Sequence, residues 1–374
     1  MLGYCRICNC RLPETAALLL PSQPAMAQHL PKAEKNNDGN LETVDLLLKQ
    51  CPDCGVTQLD NQPVPYYREV IRATAFSPAM QNFRRRQFAA FRRRHCLTGK
   101  RLLEVGCGSG EYLQCWKEID VYGMEFSPEN CAKARAKGFK IFRGYPGDSL
   151  PPGAPYDAFA MFSWLEHLPD LPQVLKNLRD SLNPGAVGLL EVPDFDMICE
   201  QNLFSEFVLD HLFYFTEKTL RGTLSMYGFE TLRCRNLWHG YILSAEVRRR
   251  MPLCTTGFRQ AQKKLLQAIK NHLQEQSGTT AIWGAGHQSL ALLAMCEHKE
   301  RISYVVDSAP FKQGHRTPGS GFLIVPPEHL LKDPPGSILI IAGSYNQEIA
   351  GQIKKQHQDR FKLACIEKQS LKKI

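Results

Sequence analysis

Leu102-Leu103-Glu104-Val105-Gly106-Cys107-Gly108-Ser109-Gly110 is a short apolar run that breaks into glycines at alternate positions. The run reads as a buried strand. The glycines read as a turn whose backbone can approach a ligand closely, because no Cβ stands in the way. A helix is expected to start near Glu111. A lone G-x-G-x-G is weak evidence, since dinucleotide-binding folds also show one. Two carboxylates narrow the reading. Glu104 stands just before the glycines, where it can accept a hydrogen bond from a cationic amino-acid group. Glu125 closes the next apolar run, VYGMEF, roughly 20 residues on, where a carboxylate can grip two ribose hydroxyls.

Outward from this point, short apolar runs alternate with helical patterns between Arg84 and about Arg248: RLLEVG, VYGMEF, YDAFAMF and VGLLEV. Such alternation predicts a parallel sheet with crossover helices. A helix over residues 256–276, with Leu265, Leu266, Ile269 and Leu273 on one side, leads into a second alternation. It consists of TTAIWGAG, a helix over 287–299, ISYVVD and SILIIAG. The expected fold class is therefore α/β, carried by the centre and the tail, in three parts: a small metal-binding head over 1–62, then 63–250 and 251–374. Within the first part, PKAEKNNDGN (31–40) reads as an exposed loop.

The first part carries Cys5-Arg-Ile-Cys8 and Cys51-Pro-Asp-Cys54-Gly55, two C-x2-C knuckles that can each present two thiolates to one tetrahedral ion. Zinc fits best, and four protein ligands would make it structural. Cys10 is near enough to compete as a ligand. Buried or redox-active thiols are the alternative.

No apolar run approaches the roughly 20 residues needed to cross a bilayer, and the start Met-Leu-Gly-Tyr-Cys does not read as a signal peptide. A cytoplasmic location is expected, with no membrane partner. There thiols stay reduced, so the 14 cysteines do not imply disulfides. The net charge of +9 favours anionic partners without identifying them. Arg84–Arg86 and Arg92–Arg94 frame Phe88 and Phe91 in RRRQFAAFRRR, which at helical spacing puts both rings on one side. A solvated basic face is one reading of these arginines, and phosphate binding is the other. No nucleic-acid-binding module is visible, so a nucleic-acid partner is not expected.

After YDAFAMF come Ser163-Trp164-Leu165-Glu166-His167-Leu168-Pro169-Asp170, a helical stretch, and LNPGAVGLLEVP. In this order, residues 84–245 resemble the class I S-adenosylmethionine (SAM)-dependent methyltransferases. The resemblance implies that Glu104, Gly106, Gly108 and Gly110 line the methionine and ribose side. It also implies that Glu125 binds the ribose and that Phe126 and Tyr145 lie beside the cofactor. The third strand ends in Gly144-Tyr145, where many members place an acid for the adenine amino group.

The double C-x2-C head, the class I centre and the second α/β tail together resemble the sugar C-methyltransferases that build branched deoxysugars on nucleotide diphosphates. Trp283-Gly284-Ala285-Gly286-His287, Tyr304-Val305-Val306-Asp307 and Lys312-Gln313-Gly314 are the most specific part of this likeness. It implies that Gly284, Gly286 and His287 meet a phosphate or ribose of the substrate. No acid for a dinucleotide ribose is read in the tail, so no second redox cofactor is expected there.

It further implies methyl transfer to a carbon beside a 4-keto group, with a base that removes the C3 hydrogen. Phe207-Val208-Leu209-Asp210-His211-Leu212-Phe213-Tyr214 resembles the family stretch ending in Glu-His. His211 is the expected base and Asp210 its assistant. His167 is a second active-site histidine, and Tyr66, Tyr67 and Tyr214 are candidates for substrate contact. Val208 stands where the family has a tyrosine. That leaves open an O- or N-methyltransferase of another small metabolite, or more remotely an RNA-modifying protein. The oligomeric state is not legible.

Overall fold

The computed structural model describes residues 3–27, 43–69 and 77–374. The loop read over 31–40 lies outside the described residues, as do 70–76 of the connector.

Strands β1 (Leu18–Pro24), β2 (Thr43–Gln50) and β3 (Thr57–Leu59) form an antiparallel meander. Helix α1 (Pro78–Arg94) is capped by Ser77, whose hydroxyl accepts the Met80 amide at 3.2 Å. Phe88 and Phe91 are both buried on its inner face, as the spacing predicts. The arginines divide. Arg84 is buried in an ion pair with Glu191, Arg92 pairs with Glu118, and Arg94 pairs with Glu246 at 2.7 Å. These pairs favour an intramolecular role over phosphate binding for half of the cluster. Removing one partner of the buried Arg84–Glu191 pair would cost about 3–5 kcal/mol, because the other charge would be stranded.

The central sheet contains β4 (Arg101–Val105), β5 (Asp120–Glu125), β6 (Lys140–Arg143), β7 (Tyr156–Phe162), β8 (Leu182–Pro193), β10 (Phe229–Leu237) and β11 (Ile242–Arg249). Their spatial order is β10-β11-β8-β7-β4-β5-β6. All neighbours are parallel except β11, which runs antiparallel to both β8 and β10. Helices α2 (Pro128–Ala136), α3 (Leu171–Asp180), α4 (Phe195–Glu200) and α5 (Glu217–Met226) accompany the strands. The order reverses at β4, so the carboxyl ends of β4 and β7 open a crevice of the kind in which α/β sheets bind ligands. The helix expected at Glu111 is instead a turn with one 3₁₀ segment, Leu113–Cys115. Trp116 leaves it in extended conformation, and its indole Nε1–H reaches Glu104 Oε2 at 3.1 Å.

The first two expected parts are not separate bodies. The chain divides into two compact units, 1–252 and 253–374. The boundary expected near 62 is bridged because β9 (Phe213–Tyr214), from the central region, adds to the edge of β3. Cys5, Ile7 and Cys51 also share a core with Leu212, Phe213 and Leu224.

The second unit begins with α6 (Thr256–Glu275), which buries Leu265, Ile269 and Leu273. Its sheet has the order β14-β13-β12-β15-β16-β17, built from β12 (Thr280–Trp283), β13 (Ile302–Val306), β14 (Ile324–Val325), β15 (Ser337–Ile340), β16 (Lys362–Glu367) and β17 (Ser370–Lys373). Only the β16–β17 hairpin is antiparallel. Helices α7 (His287–Met295), α8 (His329–Lys332) and α9 (Asn346–His357) complete it. Helix α7 stops short of 299, where His298 turns left-handed at φ 59°.

Candidate active site

The glycine loop follows β4 directly, and the Gly106 amide donates to the Met124 carbonyl at 2.9 Å. Gly110 has φ +84°, and a Cβ there would stand 2.8 Å from the Phe139 ring, so the turn needs glycine for two reasons. Glu125 ends β5 and holds the loop with one oxygen while the other takes the amide two residues beyond itself. Gly108 N–H donates to Oε2 and Ser127 N–H to Oε1, each at 2.9 Å. Glu104 is completely buried beneath the loop. The predicted cofactor acids therefore converge on one loop. Their chemistry, two buried carboxylates around a glycine-rich backbone, fits a ligand carrying both a cationic group and a diol.

Tyr145 is buried, and its hydroxyl donates to Asp170 Oδ1. Burial pushes its pKa up, and the Asp170 carboxylate adds to the effect. Its ring packs edge-on against Tyr67 at 6.0 Å and Trp164 at 5.8 Å. The guanidinium of Arg68 lies 4.7 Å from the Tyr145 ring centroid and 5.5 Å from that of Phe126. Its two terminal nitrogens each donate to an Asp148 oxygen at 3.1 Å. The Asp148 amide bonds back to the Tyr145 carbonyl at 3.1 Å, which brings a carboxylate to the end of the third strand. Arg68 and Asp148 escaped the sequence reading. The signal for Asp148 was its place three residues beyond Tyr145, on the turn already under scrutiny.

The second cluster follows β7. Glu166 and His167 sit on a 3₁₀ turn, Leu165–His167, and the Leu212 amide donates to the Glu166 carbonyl at 2.8 Å. That bond holds the 210–212 segment against the turn. His167 Nδ1 lies 2.7 Å from the Asp210 carbonyl oxygen, and the His167 and His211 rings meet edge-on at 4.8 Å. Burial lowers the pKa of both histidines, His211 well below its ordinary value, with His167 contributing to that shift. Both are neutral at physiological pH and can accept a proton. Burial pushes the Glu166 carboxyl up to about 8.

Asp210 does not assist His211 in the expected way. Its carboxylate accepts the Tyr66 hydroxyl at 2.7 Å and the Ala27 amide at 3.0 Å, and only its backbone carbonyl serves a histidine, His167. The adjacent tyrosines separate: Tyr66 joins this cluster, while Tyr67 packs on Tyr145. Tyr214 is core. Its ring lies among Phe195 and Phe207, and its hydroxyl accepts the Val208 amide at 3.1 Å.

The thiol sulfurs of Cys5, Cys8, Cys51 and Cys54 all lie within 4.8 Å of one another, with Cys5–Cys54 at 3.6 Å and Cys8–Cys51 at 3.5 Å. Sulfurs around a tetrahedral zinc stand about 3.8 Å apart, so the set fits that ion. Cys10 is not part of it and faces the Arg11 carbonyl at 3.4 Å.

In the second unit, a cleft of about 480 Å³ is lined by Gly284, Gly286, His287, Asp307, Lys312 and Gly343 among others. Gly284 has φ +112°, and a Cβ there would stand 2.6 Å from the Ile341 carbonyl oxygen. Gly286 is the N-cap of α7. Contrary to expectation, an acid does close the second strand. Asp307 accepts the Ala285 amide at 2.7 Å and the Ala309 amide at 2.9 Å, and pairs with Lys312 Nζ at 2.9 Å.

Residues 80–233 match the family described as Methyltransferase domain, and residues 255–365 match C-methyltransferase C-terminal domain. The central region has the class I SAM-dependent methyltransferase fold. The chain is 31% identical over 96 residues to trans-aconitate 2-methyltransferase of Deinococcus radiodurans, a match covering 25% of this chain and 37% of that protein. A probable SAM-dependent methyltransferase of Mycolicibacterium smegmatis is 29% identical over 116 residues, covering 30% and 45%. The chain thus spans less than half the length of these relatives. Similar solved structures include a SAM-dependent methyltransferase of Clostridium acetobutylicum, with TM-score 0.39 and 14% identity, covering 49% of this chain and 96% of that one. The amino pentose methyltransferase CalS10 of Micromonospora echinaspora has TM-score 0.36 and 18% identity, covering 48% and 99%. No helix among the described residues is long and apolar enough to cross a membrane.

Proposed function

We propose that this chain transfers a methyl group from SAM to a carbon of a nucleotide-diphosphate-linked 4-keto-deoxysugar. The observation that carries the reading is the packing of His211, His167, Asp210 and Tyr66 into one cluster beyond β7, the strand beside the glycine loop. The tail's match to a C-methyltransferase C-terminal domain supports carbon as the acceptor. The cleft of the second unit at Gly284, Gly286 and His287, with Lys312 on its wall, suits by itself a phosphate-bearing group.

Glu104 and Glu125 hold the donor's ammonium and ribose, and Asp148 supplies the acid for the adenine amino group once Arg68 yields it. The donor provides an electrophilic methyl on a sulfonium. His211, neutral and half-buried, removes the C3 hydrogen made acidic by the ketone. The electron pair left on carbon takes the methyl, the thioether product leaves, and the proton on His211 passes to solvent. Tyr66 is held by Asp210, whose backbone carbonyl meets His167. Zinc on the four thiolates ties 5–8 to 51–54 and has no part in the chemistry.

The test is turnover of TDP- and GDP-linked 4-keto-6-deoxysugars with SAM. His211→Ala should keep SAM affinity and lose about 10²–10⁴ in rate. Product bearing the new methyl on oxygen or nitrogen would overturn carbon transfer. Near-normal turnover of His211→Ala would remove the base.

A further inference from the structure

We infer that Glu166, His167 and His211 form a binding site for one divalent transition-metal ion, separate from the cysteine cluster. One ligand atom from each lies within 4.8 Å of the others, and His167 Nε2 is 3.9 Å from Glu166 Oε1. Ion-to-ligand bonds of about 2.1 Å place neighbouring donors roughly 3–4 Å apart, so the three side chains need close by only about 1 Å.

Three further features belong to a ligand set rather than to ordinary packing. Glu166 is 1% exposed, and neither carboxyl oxygen has a hydrogen-bond partner among the described residues. Buried carboxyls are normally paired, and one without a partner calls for an explanation. His167 Nδ1 faces a backbone carbonyl, which can only accept, so Nδ1 carries the ring proton and Nε2 keeps its lone pair on the side of Glu166. Such an outer hydrogen bond to a carbonyl is how metal-binding histidines are usually oriented. The frame is also fixed before any ion arrives, because the Leu212 amide ties the segment carrying His211 to the Glu166 carbonyl. Two imidazoles and one carboxylate suit Zn²⁺, Co²⁺, Fe²⁺ or Mn²⁺ better than Ca²⁺ or Mg²⁺.

An ion bound there takes the lone pair of His211. This consequence, unlike the binding itself, rests on the reading of His211 as the base. Occupancy and methyl transfer then exclude each other, and the metal acts as an inhibitor.

Mn²⁺ titration of the full chain, already loaded with zinc, tests the site by electron paramagnetic resonance and elemental analysis. Mn²⁺ does not compete for soft thiolates. One Mn²⁺ per chain is expected beyond the zinc. Glu166→Gln and His167→Gln should each weaken it at least tenfold, and His287→Ala, in the tail, should leave it unchanged. Wild type that takes up neither Mn²⁺ nor Co²⁺ overturns the site, as does binding that survives both substitutions. In the activity arm, loading should suppress methyl transfer and a chelator should restore it. Full activity with the ion bound would leave the site standing and remove His211 as the base.

Discussion

The two units solve the same problem with nearly the same parts. In each, a strand runs into a glycine turn, and a carboxylate at the end of the next strand holds the turn by a backbone N–H: Glu125 from Gly108, Asp307 from Ala285. Each carboxylate also takes the amide two residues after itself, Ser127 or Ala309. What differs is the charge placed around the turn. The central loop lacks a following α-helix and has Glu104 buried beneath it, so its surroundings are acidic. The tail loop runs into the N-terminus of α7, and Lys312 sits on its carboxylate. Helix N-termini and lysines favour anions, and buried carboxylates favour cations. One backbone device thus suits a cationic group in one unit and an anionic group in the other.

Glu125→Ala should give the largest effect, because it removes the hydrogen bond that holds the loop, the one that holds the Ser127 turn, and the proposed acceptor for the ribose. Charge-assisted bonds of this kind are worth roughly 1.5–3 kcal/mol. SAM affinity by calorimetry should fall about 100-fold, while nucleoside-diphosphate affinity stays within twofold. Equal losses for both ligands would break the comparison, since the loops would then not be independent.

Lys312→Ala probes the other side and should act less strongly, because a lysine on a cleft wall is partly screened by water. Nucleoside-diphosphate affinity should drop about tenfold, with SAM affinity unchanged. Unaltered diphosphate binding would leave the tail loop without an anion role.

The comparison also shows what a sequence can and cannot give. All four quoted apolar runs of the central sheet are strands, and Glu104 and Glu125 are both buried, Glu104 in the strand before the glycine loop and Glu125 bonded to it through Gly108. These were legible because buried parallel strands are continuous apolar runs and glycine turns leave a local signature. The helix at Glu111 failed because tertiary contact overrode the usual order of this fold: Trp116 is drawn out to bond Glu104. Asp210 and Tyr66 were each named, but their 2.7 Å bond was not, since no local pattern relates residues 144 positions apart. Tyr214 could be read either as a substrate contact, from its place three residues after His211, or as core, and its burial against Phe195 and Phe207 places it in the core. Asp307 was quoted within its strand without being recognised as the counterpart of Glu125.

The smallest predicted effect concerns that counterpart. Burial raises the pKa of Asp307, but the amides of Ala309 and Ala285 and the Lys312 ammonium outweigh it, and the net direction is down. A carboxyl whose folded pKa is depressed stabilises the fold above its unfolded value, and that contribution is lost as pH falls through the folded value. Between about pH 5 and the folded value, the tail of wild type should therefore lose stability that Asp307→Asn never had. The group is partly exposed, so the difference should be about 1 kcal/mol or less. Pulse deuterium labelling of β12 at one fixed pH, after equilibration in urea at pH 6 and at pH 3, reads the tail alone. The urea midpoints of wild type and Asp307→Asn should lie closer together at pH 3 than at pH 6. If the gap is the same at both, the ion pair with Lys312 does not hold this loop, and the tail's turn depends on its glycines and on the neutral hydrogen bonds that asparagine can also accept.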